Sequence, residues 1–212
     1  YQLWYQAFAG HHAWERSHRC VVCYAESYDG LHWQKPALGL YPFNDQAATN
    51  IVLVGNGGYS DRYSNAVVVD ERDPDPSRRY KMAYFDFSYQ DGQEYPGLSV
   101  AFSPDGIHWR KHPQAPLLRA AYGDPGDPVP MANEHDRPWA HPLSFSDAMD
   151  AFYDPQRQAF VIYHKLWIDG PDGAMYWKHG MGRTQSQDFI QWSRPQLLLT
   201  SDEFDPPWVE FH

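Results

Sequence analysis

The chain is poor in cysteine and in positive charge: 212 residues carry 2 Cys, and 17 basic residues stand against 27 acidic ones for a net charge of −10. Cys20 and Cys23 form a C-x-x-C in a strand-like run, Arg19-Cys20-Val21-Val22-Cys23-Tyr24. Side chains three apart on a strand face opposite sides, so the two are read as plain strand residues rather than a redox pair. A zinc site would need two more ligands at suitable spacing, and no second pair supplies them, so neither a metal nor a cofactor is expected. The excess of acid argues against nucleic acid and against an anionic membrane surface, both of which need clustered Lys and Arg. No apolar run is long enough to cross a bilayer, and no charged start leads into an apolar segment and a small-residue cleavage site. The chain opens at Tyr1 inside a strand-like run, so its start reads as trimmed; a secreted or periplasmic location is expected, with a cytoplasmic one still open. Oligomeric state stays open. Convincing helical periodicity is absent throughout, which leaves an all-β reading.

Aromatic residues are plentiful instead, at 17%, with 9 Trp and 15 Tyr. They suit stacked sheets and also sugar-binding surfaces, where apolar ring faces meet amphipathic groups. The organising feature is a short stretch that occurs three times: Ser27-Tyr28-Asp29-Gly30-Leu31-His32-Trp33, Ser103-Pro104-Asp105-Gly106-Ile107-His108-Trp109, and Ser186-Gln187-Asp188-Phe189-Ile190-Gln191-Trp192. Asp followed by Gly provides a carboxylate for backbone N–H groups and a residue that tolerates positive φ, and the Trp four residues after the Asp can anchor beside the turn. In the third copy Phe189 stands where glycine is expected. The copies recur about every eighty residues, a unit the size of four short strands and a propeller blade.

Between the turns lie strand pairs. Tyr1–Phe8 pairs with the strand of Cys20; Asn65–Asp70 and Tyr80–Phe85 flank a polar turn over 71–79; Met149–Tyr153 and Ala159–Lys165 flank the turn 154–158. The expected architecture is a single β-propeller domain or partial domain of four-stranded antiparallel blades, about three of them visible. The units run approximately 1–49, 50–119 and 143–204, with the next beginning at 205–212. By this count the chain starts and stops inside blades, after its first inner strand.

The Ser-x-Asp-Gly-x-x-Trp turns at Ser27 and Ser103, the strand pairs around Asp-Pro turns and the unit size together resemble the five-bladed β-propeller glycoside hydrolases, the superfamily of families 32, 43, 68 and 130. That resemblance implies a pocket on the central axis, lined from the starts of the inner strands, where one carboxyl group protonates the leaving oxygen and a second acts as base or nucleophile. Asp147, in Ser146-Asp147-Ala148-Met149-Asp150, is placed just before an inner strand and is taken as the non-acid carboxylate, with Asp150 in reserve. Glu210, between Trp208 and Phe211, is taken as the acid, because apolar neighbours disfavour its charged form. Asp61 is assigned to sugar contact or transition-state stabilisation. Arg72-Asp73-Pro74 spells a family 32 motif but falls in a polar hairpin turn and is set aside.

The long loop 120–146 is expected to fold over the mouth and offer Arg137, Trp139 and His141 to substrate. The aromatic stretch from Trp167 to Trp177 would add a second wall, and Arg183 and His212 complete the expected substrate-binding set. The leading expectation is a glycosidase that degrades a poly- or oligosaccharide. The alternatives are a non-catalytic carbohydrate-binding or structural propeller, and a family 130-like phosphorylase using Arg137, Arg183 and His141 on phosphate.

Overall fold

The computed structural model describes residues 1–8, 20–43, 45–55, 64–90, 93–119, 144–168, 178–206 and 208–209; of residues 8, 87–90, 93–96, 119, 144, 146 and 147 it describes the backbone alone. Among the described residues, twelve strands form three antiparallel sheets. The first contains β1 (Gln2–Phe8), β2 (Cys20–Glu26) and β3 (Ile51–Val54) in that order. The second runs β4 (Asn65–Val69), β5 (Tyr80–Gln90), β6 (Gln93–Ser103), β7 (Arg110–Lys111), with β8 (Leu118–Arg119) also on β6. The third is β9 (Ser144–Asp154), β10 (Ala159–Ile168), β11 (Lys178–Ser186) and β12 (Gln196–Leu199). This is the all-β architecture of propeller blades, about three of them present. One boundary differs from the expected units: Ile51–Val54 pairs with β2, so the first sheet continues past residue 49.

The repeated turn fixes the register in all three sheets. Its serine lies opposite an aromatic residue at the start of the preceding strand: Ser27 N–H donates to the Tyr1 carbonyl, Ser103 pairs with Tyr80, and Ser186 pairs with Phe160. β1, β5 and β10 therefore occupy the same place, and β4 and β9 are the innermost strands of their sheets. β4 packs beside β9, and β1 beside β4, so the sheets fan out from that line.

Alternation on the strands supplies the glue, since successive side chains face opposite sides. Val22, Tyr24, Val52 and Leu53 of the first sheet meet Met82, Tyr84 and Ala101 of the second. Ala66, Val68, Ala83, Phe85, Val100 and Phe102 of the second meet Phe145, Ala151, Phe160, Ile162 and Phe189 of the third. Cys20 and Cys23 are both buried and neither is in a disulfide, with Cys23 on the face of β2 turned away from the second sheet.

Each turn closes the same way. The Asp Oδ1 accepts the N–H groups two and three residues on, and the Trp indole N–H donates to the carbonyl of the residue after the Asp, at 3.1, 2.9 and 3.2 Å in the three copies. That intervening residue is left-handed in all three, with φ of +78° at Gly30, +78° at Gly106 and +66° at Phe189. Phe189 bears the strain because its ring is buried against Phe160, Phe102 and Trp192, with centroids 5.1, 6.2 and 5.2 Å away.

Candidate functional site

The starts of the inner strands bring the sheets together. The Ser64 Oγ accepts the N–H of Met149 at 3.3 Å, its carbonyl accepts the N–H of Phe85, and the Asn65 side chain donates to the Trp4 carbonyl at 3.5 Å. Residues from all three sheets thus converge on one short stretch of the line from which they fan out.

Asp147 lies in β9 next to that stretch, and its position corrects the expectation that the strand begins after it: β9 starts at Ser144. The strand is irregular there. Phe145 pairs with Leu166 and Met149 with His164, which leaves 146–148 facing the single residue Lys165. A bulge of this kind bends its strand and re-aims the residues in it. The Asp147 side chain lies outside the described residues.

Asp150 is an exposed residue opposite Tyr163, and its Oδ1 accepts the N–H of Ala151 at 2.9 Å. Arg183 lies opposite the same Tyr163 from β11 and donates to the Gln185 amide oxygen at 2.8 Å. Asp150, Tyr163 and Arg183 thus form one row across the third sheet, on the face away from the second. Trp167 belongs to β10 rather than to a loop; it pairs with His179, their rings 3.7 Å apart. Asp61, Arg137, Trp139, His141, Trp177, Glu210 and His212 lie outside the described residues. Of the expected site, the described residues place Asp150 and Arg183 on one face, separated by Tyr163, with Trp167 further along that face.

Two residues beside the bulge escaped the sequence reading. His164 is 1% exposed, stacked on Phe145 at 4.1 Å, and its Nδ1–H donates to the Lys165 carbonyl at 2.9 Å. That bond fixes the tautomer with Nε2 as an acceptor, and burial pushes the imidazole pKa down to about 4. Lys165 is 6% exposed, with its ammonium 5.8 Å from the Trp167 ring centroid. Counting from the repeated serine gives the missed signal: the His164 position holds Tyr84 and Tyr5 in the other sheets, and the Lys165 position holds Phe85 and Gln6.

The turn carboxylates have other work. Asp29 is held below the ordinary carboxylate range by the His32 backbone and side chain and the Leu31 N–H. Burial pushes Asp105 up, but bonds from His108, Ile107 and Ser103 outweigh it and leave the group low. Arg72-Asp73-Pro74 lies in the β4–β5 connection, where Asp73 pairs at 2.5 Å with Lys81, a lysine 1% exposed. Arg72 stacks on Tyr153 of the third sheet at 3.0 Å, so this cluster joins two sheets. Among the described residues no group of three or more His, Cys, Asp or Glu is placed to hold a metal, and no helix is long and apolar enough to cross a membrane.

No family model matches the sequence, and no curated protein does. Among solved structures, the GH32 beta-fructofuranosidase BmSUC1 of Bombyx mori superposes with a TM-score of 0.57 at 14% identity, over 95% of this chain and 33% of that one. The same enzyme as a point mutant in complex with sucrose superposes with a TM-score of 0.50 at 13% identity, over 92% and 32%. The chain spans about a third of the length of these two solved structures. At these identities the likeness shows the fold alone, a propeller arrangement of antiparallel blades.

Proposed function

We propose that the protein is a glycoside hydrolase that cleaves a poly- or oligosaccharide with two carboxyl groups. The observation that carries the reading is the interruption of β9: an inner strand regular from Met149 onward is bulged at 146–148, where the resemblance puts an axial Asp. Bulges are common beside active sites, where they re-aim a side chain. In this reading Asp147 is the base or nucleophile and Glu210 the acid. Asp61 contacts the sugar or stabilises the transition state, and the loop bearing Arg137, Trp139 and His141 covers the mouth together with Trp177 and His212. Asp150 and Arg183, lying mid-sheet, bind at most the outer part of a longer substrate.

The test is sugar release from a panel of oligosaccharides, beginning with sucrose, by the protein and by Asp147→Asn and Glu210→Gln. Turnover lost in both variants supports the reading. Binding without turnover in the unmodified protein would replace it with a carbohydrate-binding propeller, and turnover that requires inorganic phosphate would replace it with a phosphorylase.

A further inference from the structure

β9 is the innermost strand of the third sheet, and among the described residues no strand pairs with its other edge. N–H groups on such an edge need acceptors from outside the ladder. The N–H of Ala151 goes to the Asp150 Oδ1 at 2.9 Å, within β9 itself. The N–H of Met149 goes instead to the Ser64 Oγ at 3.3 Å, one residue before the start of β4 in another sheet.

Met149 is also where β9 returns to register. Phe145 pairs with Leu166, Met149 pairs with His164, and 146–148 between them face Lys165 alone. The two ends of this bulge are held by different means. Phe145 is buried and stacks on the His164 ring with centroids 4.1 Å apart, so core packing fixes the entry. Met149 is only partly buried, and its bond to Ser64 ties the exit to the second sheet. Ser64 is held in its turn: its carbonyl accepts the N–H of the buried Phe85 at 3.1 Å. Asn65 after it lies opposite Tyr84 and donates to the Trp4 carbonyl at 3.5 Å. The serine hydroxyl is therefore a fixed acceptor set against a strand whose own ladder is interrupted.

We propose that Ser64 is a positioning residue: by accepting the Met149 N–H it fixes the backbone over 146–148, and with it the backbone position of Asp147. It acts through the bulge and does not touch substrate. This rests on the reading of Asp147 as the base or nucleophile, since a group that must meet a reacting atom loses rate steeply when misplaced by about 1 Å. Loss of one neutral hydrogen bond shifts the opening equilibrium of the amide it holds about fivefold.

The test begins with nitrogen-15 labelling of methionine, which gives five amide signals, Met149 being assigned by the signal lost in Met149→Leu. In Ser64→Ala the Met149 amide should exchange with solvent about fivefold faster, and Ser64→Thr, which keeps a hydroxyl, should restore it. On a saccharide that the unmodified protein cleaves, kcat should fall at least about tenfold in Ser64→Ala with KM within about twofold, and Ser64→Thr should recover it. A Met149 exchange rate unmoved in folded Ser64→Ala overturns the contact. Faster exchange with kcat unmoved overturns the positioning role and leaves Ser64 a merely structural residue. Sugar release that survives Asp147→Asn would sink the catalytic reading and the positioning role with it, while the exchange rates alone decide whether Ser64 holds the bulge.

Discussion

At the scale of single residues, the third turn shows how one geometry is met by two solutions. At the second turn the space beside the left-handed residue is filled from the neighbouring sheet: the Trp4 indole donates to the Gly106 carbonyl at 2.7 Å, and a Cβ on Gly106 would come within 2.6 Å of that ring. At the third turn, the position equivalent to Trp4 is Ala83, and Phe189 supplies the aromatic ring from the turn itself. A large residue from the strand is exchanged for a large one from the turn. Gly106→Ala should therefore cost about 2 kcal/mol, from overpacking and positive φ together. Phe189→Gly, which restores the repeat's consensus and relieves φ, should still cost about 3 kcal/mol through the cavity it leaves. Urea unfolding checks both, and stabilisation by Phe189→Gly would contradict the exchange. The turns were legible in the sequence because their bonds are local; the role of Phe189 was not, because its partners Phe102 and Phe160 come from distant strands.

At the scale of elements, pairing and charge decide what alternation alone leaves open. The strand pairs were legible from their apolar runs and Asp-containing turns, but the start of β9 was not, since Ser144–Asp147 is too polar to read as strand. Between β4 and β5, Lys81 is buried with Asp73 at 2.5 Å and Asp70 at 3.5 Å while Arg72 reaches across to Tyr153. Asp73→Ala removes the nearer of the two carboxylates and should cost about 2 kcal/mol, the scale of a hydrogen bond to a charged group, by thermal or urea unfolding; an unchanged midpoint would mean that Asp70 and the Arg78 carbonyl hold the ammonium without it. On β10, the folded pKa of His164, about 4, lies below its ordinary 6.5. A base with a depressed folded pKa contributes stability that is full above 6.5 and is lost as pH falls from 6.5 to 4, on the order of 3 kcal/mol here. In His164→Phe the fall in stability across that window should flatten, and an unaltered slope would show that His164 is not the group responsible.

At the scale of the whole molecule, the three-sheet fan was readable from the spacing of a seven-residue turn, because a repeat writes its period into the sequence. The site was less readable. Carboxylates at strand starts look alike whether they cap a turn or line a pocket, and their convergence depends on contacts between strands far apart in sequence. Of the residues named in advance, Asp150 and Arg183 share a sheet face on either side of Tyr163 rather than lying at the strand starts, while the bulge at Asp147 became visible only through its pairing with β10. The central claim, that this fold carries glycosidase chemistry through Asp147, is tested most directly by the rate of glycoside hydrolysis in Asp147→Asn against the unmodified protein. The account predicts a loss of at least about a hundred-fold, the usual scale for removing a general base, with the fold intact; hydrolysis at the unmodified rate would contradict it.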